Sequence, residues 1–180
     1  MYKVPFIRYE GLGLAAPQIG VPLRILCVQH TKEQMSYTSE KFNTERGYEL
    51  IPQRILINPT LTILDQESVT YREGCVSIHG YSALVPRYKS ILVKAYNENG
   101  EFFEWILKDW PARILQHEID HLNGELFIDK MVSESFSFDY WRAVNNRNGN
   151  FSLSYAGMES YKSLIAKLFY PKWLSRRNRG

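Results

Sequence analysis

Cysteine and long apolar runs are both scarce in this chain of 180 residues. Its two cysteines, Cys27 and Cys75, are too few for a disulfide framework, so each needs its own explanation. No apolar run approaches the roughly 18 residues that a membrane-spanning helix requires, which argues against a transmembrane helix. Hydrophobic residues at 44% and charged residues at 23% exclude a disordered or low-complexity polymer. The length predicts one domain, or one domain with an appendage.

Charge of neither sign dominates the sequence. Lys and Arg number 22 against 19 Asp and Glu, and the resulting charge of +3 does not by itself indicate nucleic-acid binding. Residues 172–180 contain several basic residues and no acid; such a tail is usually solvated, and the alternative is contact with RNA or an anionic surface. Residues 1–10 lack the apolar core of a signal peptide, so we expect no targeting segment there.

Apolar segments and turn residues in the first two thirds of the chain predict mostly strands. The polar segment 30–53 shows no clear periodicity and is expected to be an exposed loop or insertion. Asn58-Pro59 should interrupt one strand, and Asn99-Gly100 has the turn chemistry of a β-hairpin. The expected strands are residues 24–28, 54–64, 90–96 and 101–106.

A central helix is predicted over Pro111–Asn123. Asp109 is expected to cap it, Pro111 suits an opening position, and Gly124 should end it. A last helix is expected near residues 158–169. The predicted fold is therefore α+β, with antiparallel or mixed β-sheets packed around a central helix and with a C-terminal helix.

Two of the four histidines have the spacing of ligands to one metal ion. His117 and His121 enclose Glu118 in the sequence H-E-x-x-H, and residues four apart lie on one helical face, so their ring nitrogens can converge. Glu118 is turned about a quarter of the way round the helix, a position suited to a general base and later a general acid. The alternative is a helix that carries two histidines by chance.

A catalytic site of this kind usually has a third protein ligand. Zincin proteases take that ligand from downstream sequence, but no third histidine follows here. Cys75 lies upstream next to a glycine, and a thiolate is a strong ligand for borderline metals, so Cys75 is the better candidate. Cys27 lies in an apolar strand segment and is expected to pack in the core. The downstream candidates are Glu125, Asp129 and Glu159.

A segment rich in glycine and alanine, Gly11–Gln18, allows the backbone to approach another backbone or a ligand closely. It is not a phosphate-binding loop, because it lacks a lysine and does not match G-x-G-x-x-G. A tightly packed turn is the alternative interpretation. Gln18 ends the segment with a side-chain amide that can donate to a developing oxyanion.

These segments together resemble peptide deformylase. That family carries the motifs G-h-G-h-A-A-x-Q, E-G-C-h-S and Q-H-E-x-D-H in this order, where h is apolar. Here the motifs stand at Gly11–Gln18, Glu73–Ser77 and Gln116–His121, with every defining position matched. The similarity covers roughly residues 10–131, which makes it far more specific than H-E-x-x-H alone.

The resemblance implies hydrolysis of the formyl group from N-formylmethionyl nascent peptides, with release of formate. It implies that Cys75, His117 and His121 hold one divalent metal ion and that Glu118 shuttles the proton. Fe²⁺ is the expected metal in the cell, and Zn²⁺, Ni²⁺ or Co²⁺ can occupy the same ligands.

The resemblance also implies roles for residues around the metal. The Gln18 amide and the Val76 backbone N–H are the expected oxyanion donors, which makes them catalytic together with Glu118. Backbone groups of Gly13 and Gly74 are expected to pair with the extended peptide by strand addition. Leu12 and Ile114 are expected walls of the methionine pocket.

The expected organisation is a catalytic domain over residues 1–150 and a helical, basic extension over 151–180. The family usually has several tens of residues before the glycine motif, where this chain has ten, and the segment 30–53 is longer than the bacterial loop. Residues 127–131 and 138–141 are more similar to the mitochondrial branch. They imply a mitochondrial or other organellar matrix, with the bacterial cytoplasm as the alternative.

Two other functions stay open at this point. One is an H-E-x-x-H endopeptidase with a downstream metal ligand. The other is a catalytically silent relative that binds the ribosome or RNA through the basic tail. For the enzyme itself, the tail is a candidate for transient ribosome contact, while the oligomeric state is not predicted.

Overall fold

A single antiparallel sheet dominates residues 11–149, which are the residues that the computed structural model describes. Strands β1 to β5 are neighbours in chain order, and β6 pairs with the first part of β4. All pairings are antiparallel, so the α+β prediction is confirmed in its antiparallel form. The strands are β1 (Gly13–Ala15), β2 (Ile25–His30), β3 (Ile51–Cys75), β4 (Ile78–Tyr96), β5 (Phe102–Lys108) and β6 (Ser137–Phe138).

Four α-helices accompany the sheet in this part of the chain, and short 3₁₀ turns connect several elements. Only one of the helices is long. The α-helices are α1 (Lys32–Met35), α2 (Glu40–Glu45), α3 (Asp109–Leu122) and α4 (Trp141–Asn146). The 3₁₀ turns are Ala16–Ile19, Phe127–Asp129 and Ser133–Ser135.

The two longest strands, β3 and β4, form a hairpin that carries Cys75 beside its turn, where Cys75 pairs with Ile78. The register shifts at several points, and such irregularities bend a long ribbon. One shift includes Asn58 and Pro59, where Asn58 has a positive φ of 51°, so the predicted interruption is confirmed. The predicted strand 54–64 is only the first part of β3, because the rest of the ribbon is mostly exposed and polar and lacks an apolar run.

The predicted hairpin between β4 and β5 is confirmed, with pairing from Tyr96 opposite Phe102 onward. Its connection is stabilised by the Asn97 side chain, whose oxygen accepts from the backbone N–H of Asn99 at 3.0 Å and of Glu101 at 2.9 Å. Gly100 adopts a positive φ of 80°, which a side chain would disfavour.

The central helix α3 begins two residues before the predicted start and ends one residue before the predicted end. The prediction that Asp109 caps it was wrong: Lys108 holds the capping position, no side chain caps the helix, and Asp109 has a positive φ of 51°. The predicted end at Gly124 is confirmed, since Gly124 has a φ of 80° and the Glu125 N–H donates to the Asp120 carbonyl at 3.0 Å.

The main core lies between α3 and the sheet. Burying these side chains removes apolar surface from water, which is the dominant stabilising contribution to a fold of this size. Cys27 is 1% exposed beside Leu14, and burial raises its pKa, so its predicted role in packing is confirmed. The core residues include Leu26, Val28, Leu56, Ile91, Val93, Leu107, Leu115 and Ile119.

The segment 30–53, predicted as an exposed loop or insertion, is largely exposed as expected, but the prediction of a loop was wrong because the segment contains α1 and α2. Side-chain caps stabilise the first turns of both helices. The Thr31 hydroxyl accepts from the Gln34 N–H at 3.2 Å, and the Ser39 hydroxyl accepts from the Phe42 N–H at 3.3 Å. Helices this short are fixed by local caps rather than by apolar periodicity, which is why the periodicity did not reveal them.

The expected helix near residues 158–169 and the basic extension over 151–180 lie outside the described residues, so the predicted domain division stays a prediction. Within residues 11–149, no helix is both long enough and apolar enough to cross a membrane.

Candidate metal centre

Two elements that are distant in sequence bring three metal-binding side chains together. Helix α3 presents His117 and His121 on one face, with their Nε2 atoms 3.3 Å apart. The end of β3 places Cys75 Sγ 3.2 Å from His121 Nε2. The three ligand atoms all lie within 4.8 Å of one another. One thiolate and two imidazoles suit a tetrahedral ion such as Zn²⁺ and leave one coordination position for a water or substrate.

His117 is oriented by Glu73, whose Oε2 lies 3.0 Å from His117 Nδ1. This contact leaves Nε2 as the atom that faces the other two ligand atoms. Burial would raise the pKa of Glu73, but hydrogen bonds from His117 and Arg87 outweigh it and lower the pKa to about 2. Glu73 is therefore a carboxylate at neutral pH, the form that fixes the tautomer of a metal-ligating histidine.

Two buried arginines compensate the charge of Glu73. Arg87 donates from Nε and Nη2 at 3.0 and 2.9 Å, and Arg113 donates from Nη1 at 2.5 Å. Arg87 also pairs with Asp120, which accepts from Lys130 at 2.5 Å. These contacts join β3, β4, α3 and the segment after α3 into one network beneath the metal ligands.

The sequence interpretation did not assign roles to Glu73, Arg87, Arg113 or Asp120. Glu73 lies in the E-G-C-h-S motif and Asp120 in the Q-H-E-x-D-H motif, so their positions in these motifs could have indicated that they belong to the site. Their partners could not be deduced from spacing, because the pairs join residues 14 to 40 positions apart across three elements.

Glu118 lies beside the ligands and is 4% exposed. Burial is the largest influence on its carboxyl group and raises the pKa to about 7. Its Oε2 has no hydrogen-bond partner among the described residues. A buried oxygen without a partner at this position suits a group that exchanges a proton with a bound water or substrate.

Gly13 explains how Glu118 fits. A Cβ at position 13 would overlap the carboxyl group of Glu118, so glycine allows β1 to pass this close to α3 with Glu118 in its observed position. The first glycine-rich motif therefore packs directly against the H-E-x-x-H motif.

Gln18 joins the first motif to the second. Its Oε1 accepts from the Ala15 N–H at 2.7 Å, which fixes the amide orientation, and its Nε2 lies 3.1 Å from Ser77 Oγ and 3.4 Å from Cys75 Sγ. The amide therefore directs its donor group toward the cysteine loop, where Ser77 N–H also donates to Cys75 Sγ at 3.4 Å.

The ionisation of two of the candidate ligands is shifted by their contacts with each other and with Glu73. Burial raises the pKa of Cys75, but hydrogen bonds from His117 and His121 outweigh it and lower the pKa to about 5. Burial lowers the pKa of His117, and its contacts with Cys75 and Glu73 outweigh this and raise the pKa to about 10. Without a metal, the site therefore holds a Cys75 thiolate, the form of cysteine that binds metals, beside a protonated His117, whose proton a metal ion must displace.

A cavity of about 470 Å³ opens onto this group. Of the predicted site residues, every one except His121 lies in its lining. Trp110, Tyr81 and Tyr140 also line it, and the sequence interpretation missed them because aromatic residues alone carry no positional signal. The predicted site residues in the lining are Leu12, Gly13, Gln18, Gly74, Cys75, Val76, Ile114, His117 and Glu118.

The downstream ligand candidates are engaged elsewhere. Glu125 pairs with Lys130 at 2.8 Å, and Asp129 accepts from the Leu126 N–H at 2.7 Å. Neither belongs to the Cys75, His117 and His121 group, and Glu159 lies outside the described residues. The arrangement thus favours Cys75 over a zincin-type downstream ligand.

Two histidines and a buried glutamate on an H-E-x-x-H helix, joined by a cysteine from the adjacent sheet, are typical of metal-dependent hydrolases. Comparison with known proteins narrows this class. The profile of the polypeptide deformylase family matches residues 1–137, and the chain belongs to that family.

Relatives of known identity include organellar and bacterial proteins. The chain is 42% identical over 139 residues to the mitochondrial peptide deformylase of Homo sapiens, covering 77% of this chain and 57% of that protein. It is 43% identical over 139 residues to the chloroplastic/mitochondrial peptide deformylase 1A of Arabidopsis thaliana. That match covers 76% of this chain and 49% of the Arabidopsis protein. The chain thus spans about half the length of these curated relatives.

Solved structures agree in fold. The peptide deformylase of Ehrlichia chaffeensis matches with a TM-score of 0.60 and 33% identity, covering 82% of this chain and 79% of that one. A Met-Ala-Ser-bound class I type b peptide deformylase of Acinetobacter baumannii matches with a TM-score of 0.60 and 28% identity. The match covers 70% of this chain and 74% of the Acinetobacter chain.

Proposed function

We propose that this protein is a metal-dependent peptide deformylase, which hydrolyses the formyl group from N-formylmethionyl nascent peptides and releases formate. The observation that carries the proposal is the grouping of Cys75, His117 and His121 within 4.8 Å of one another, at a cavity that the buried Glu118 also lines. Membership of the polypeptide deformylase family supports the same reaction.

We assign the metal to Cys75, His117 and His121, with Glu73 holding His117 in its ligating orientation. A divalent ion bound there would supply Lewis acidity and would lower the pKa of a coordinated water. The donor set accepts several metals, and we propose Fe²⁺ for the protein in the cell, with Zn²⁺, Ni²⁺ or Co²⁺ as substitutes.

Glu118 carries the proton through the reaction. As the water oxygen adds to the formyl carbon, Glu118 accepts the water proton on its carboxylate. It then gives this proton to the amine nitrogen as the C–N bond breaks, so formate and a free methionine amine leave. Burial raises the pKa of this carboxyl group, which weakens its preference for the charged form and suits it to both transfers.

The other predicted residues bind and orient the substrate. The Gln18 amide and the Val76 backbone N–H donate to the oxyanion, a role for which Gln18 is already fixed by Ala15. Backbone groups of Gly13 and Gly74 pair with the peptide, and Leu12 and Ile114 contact the methionine side chain. All six residues lie in or beside the same cavity.

The cellular setting follows the relatives. Identities of 42% and 43% to mitochondrial and chloroplastic/mitochondrial proteins support an organellar matrix. The bacterial cytoplasm is the alternative, because a relative from Prochlorococcus marinus is also 42% identical. We propose that the basic residues of the tail make transient contact with the ribosome.

The test is an anaerobic assay of the Fe²⁺-loaded protein with formyl-Met-Ala-Ser, in which formate and Met-Ala-Ser are measured separately. Equal amounts of both products support deformylation. Cleavage at an internal peptide bond without formate indicates an endopeptidase. A folded, metal-replete protein that forms neither product contradicts the proposed activity and favours a catalytically silent relative.

A further inference from the structure

We propose that Tyr48 is a positioning residue for the substrate pocket, and that through it the segment 31–50 sets the shape of the cavity at the metal centre. The inference rests on the proposed function, because it concerns how the methionine side chain of the substrate is held. Tyr48 itself does not line the cavity; it acts through Trp110.

Trp110 links the segment to the cavity. It lines the cavity together with Ile114, which lies one helical turn further along α3. The ring of Tyr48 stacks on the Trp110 indole, with centroids 4.7 Å apart and planes inclined by 27°. The indole is therefore shared between the cavity wall and the segment 31–50.

A second contact beside the first fixes the segment on the start of α3. Gly47 has a positive φ of 62°, and a Cβ there would lie 2.6 Å from the Asp109 Cβ. Two consecutive residues, Gly47 and Tyr48, thus dock against the consecutive residues Asp109 and Trp110. Glycine at position 47 permits the close approach that brings the tyrosine ring onto the indole.

Tyr48 is itself held by other rings. His30 contacts it edge-on at 5.0 Å and Phe42 at 5.8 Å, and the Arg46 guanidinium lies over Phe42 at 4.4 Å. His30 is buried, and burial lowers its pKa, so it packs against Tyr48 as a neutral ring. The Tyr48 ring therefore contacts three other aromatic rings, which restrict its movement.

The indole depends on this packing because no hydrogen bond fixes it. Trp110 Nε1 is buried and has no hydrogen-bond partner among residues 11–149. A buried tryptophan N–H usually finds a partner that helps to orient the ring. Here packing against the Tyr48 ring and the main core orients it, so loss of the Tyr48 ring removes one of its two supports, lets the indole move and loosens the methionine pocket.

The test compares Tyr48→Ala with wild type on formyl-Met-Ala-Ser and formyl-Ala-Ala-Ser. We expect the KM for the methionine substrate to rise about tenfold while kcat changes little, and the ratio of kcat/KM between the two substrates to fall about tenfold. That ratio does not depend on how much of the protein is active. Tyr48→Phe keeps the ring and should keep the ratio, as should Tyr37→Ala, which removes an exposed ring from the same segment.

Gly47→Ala perturbs the same contact without removing a ring and should lower the ratio in the same direction, which keeps the test valid if Tyr48→Ala does not fold. A ratio that stays at the wild-type value in both folded variants overturns the inference. A wild-type protein without deformylase turnover contradicts the proposed function instead, and the substrate role of Tyr48 with it.

A measurement without turnover checks the contact itself. In ¹⁵N-labelled protein, the Trp110 indole N–H resonance, assigned by its loss in Trp110→Phe, should shift in Tyr48→Ala and stay in place in Tyr37→Ala. An unchanged Trp110 resonance in folded Tyr48→Ala overturns the inference, whether or not the protein is active.

Discussion

Glu73 Oε2 lies 3.0 Å from Nδ1 of His117, and the same carboxylate is bound by two buried arginines. This contact connects the metal centre to the folded core. A carboxylate that fixes a ligand histidine raises the basicity of that ligand, and here it also neutralises Arg87 and Arg113 in the interior. In the proposed metal centre, Glu73 thus serves both metal binding and stability.

Glu73→Gln is expected to impair both properties. The amide keeps the size of the side chain but leaves two buried arginines with less negative charge, so we expect a loss of about 3–5 kcal/mol in the free energy of unfolding. Metal affinity should fall by about 10–100-fold. Thermal unfolding and metal titration measure the two effects. Glu67→Gln, which breaks an exposed pair with Lys89, is the control and should change neither. Wild-type metal affinity in Glu73→Gln would contradict the orienting role.

The two cysteines provide a matched pair of substitutions. Cys75→Ser should abolish stoichiometric metal binding, because a hydroxyl is a much poorer ligand than a thiolate for this site. Cys27→Ala should keep the metal and lose about 1 kcal/mol of stability, since only packing is removed. Metal content after dialysis, measured in both variants, shows which of the two cysteines binds the metal. Full metal in folded Cys75→Ser would favour a ligand set without cysteine, as in the endopeptidase alternative.

Gly13→Ala tests the packing between β1 and α3. Because a Cβ there overlaps the Glu118 carboxyl group, the substitution should displace Glu118 and lower kcat at least about a hundredfold, comparable to loss of the general base. Circular dichroism should show a folded protein. Gly100→Asn, in the β4–β5 connection far from the cavity, should retain wild-type kcat.

The raised pKa of Glu118 predicts a pH-dependent stability of the metal-free protein. Burial raises the folded pKa to about 7 from 4.5, so the free energy of unfolding falls as pH rises from about 4.5 to 7 and stays reduced above 7. Glu118→Gln avoids this cost. It should therefore increase the free energy of unfolding above pH 7, by up to about 3 kcal/mol, and the gain should disappear as pH falls toward 4.5. Urea unfolding at pH 5 and 8 measures it, and an equal effect at both pH values would contradict the burial argument.

Removal of residues 172–180 separates the enzyme from an RNA-binding module. If the protein is a deformylase, the truncated chain should retain kcat and KM on a short formylated peptide, because the site lies within residues 11–149. Sedimentation with ribosomes should weaken and become less sensitive to salt, since the removed residues are basic. Loss of turnover in a folded truncated protein would contradict this division of roles.

Local patterns in the sequence predicted the parts of the site that lie within one element. His117 and His121 are four residues apart on a helix, so their convergence follows from helical geometry. Gly124 as the helix end and the hairpin around Asn99-Gly100 also depend on local backbone preferences, and the structure confirms both.

Contacts between elements could not be read from spacing. The proximity of Cys75 to His121, and of Gly13 to Glu118, depends on how β3 and β1 pack against α3. The chemistry of the thiolate and the family resemblance suggested the first contact, and nothing in the sequence suggested the second. At Asp109 a local preference failed. Aspartate is a good capping residue, but Asp109 does not cap α3, because its backbone adopts a positive φ where Gly47 packs against it. Tertiary packing overrode a local preference there.

Formate release is the most direct test of the central claim, that Glu118 and the Cys75, His117 and His121 centre together hydrolyse N-formylmethionyl peptides. Fe²⁺-loaded wild type and Glu118→Gln, with equal metal content, are compared on one formylated tripeptide under anaerobic conditions. The account predicts turnover by wild type and a decrease of about 10²–10⁴-fold in Glu118→Gln. Equal formate release by the two proteins, or none from folded, metal-replete wild type, would contradict it.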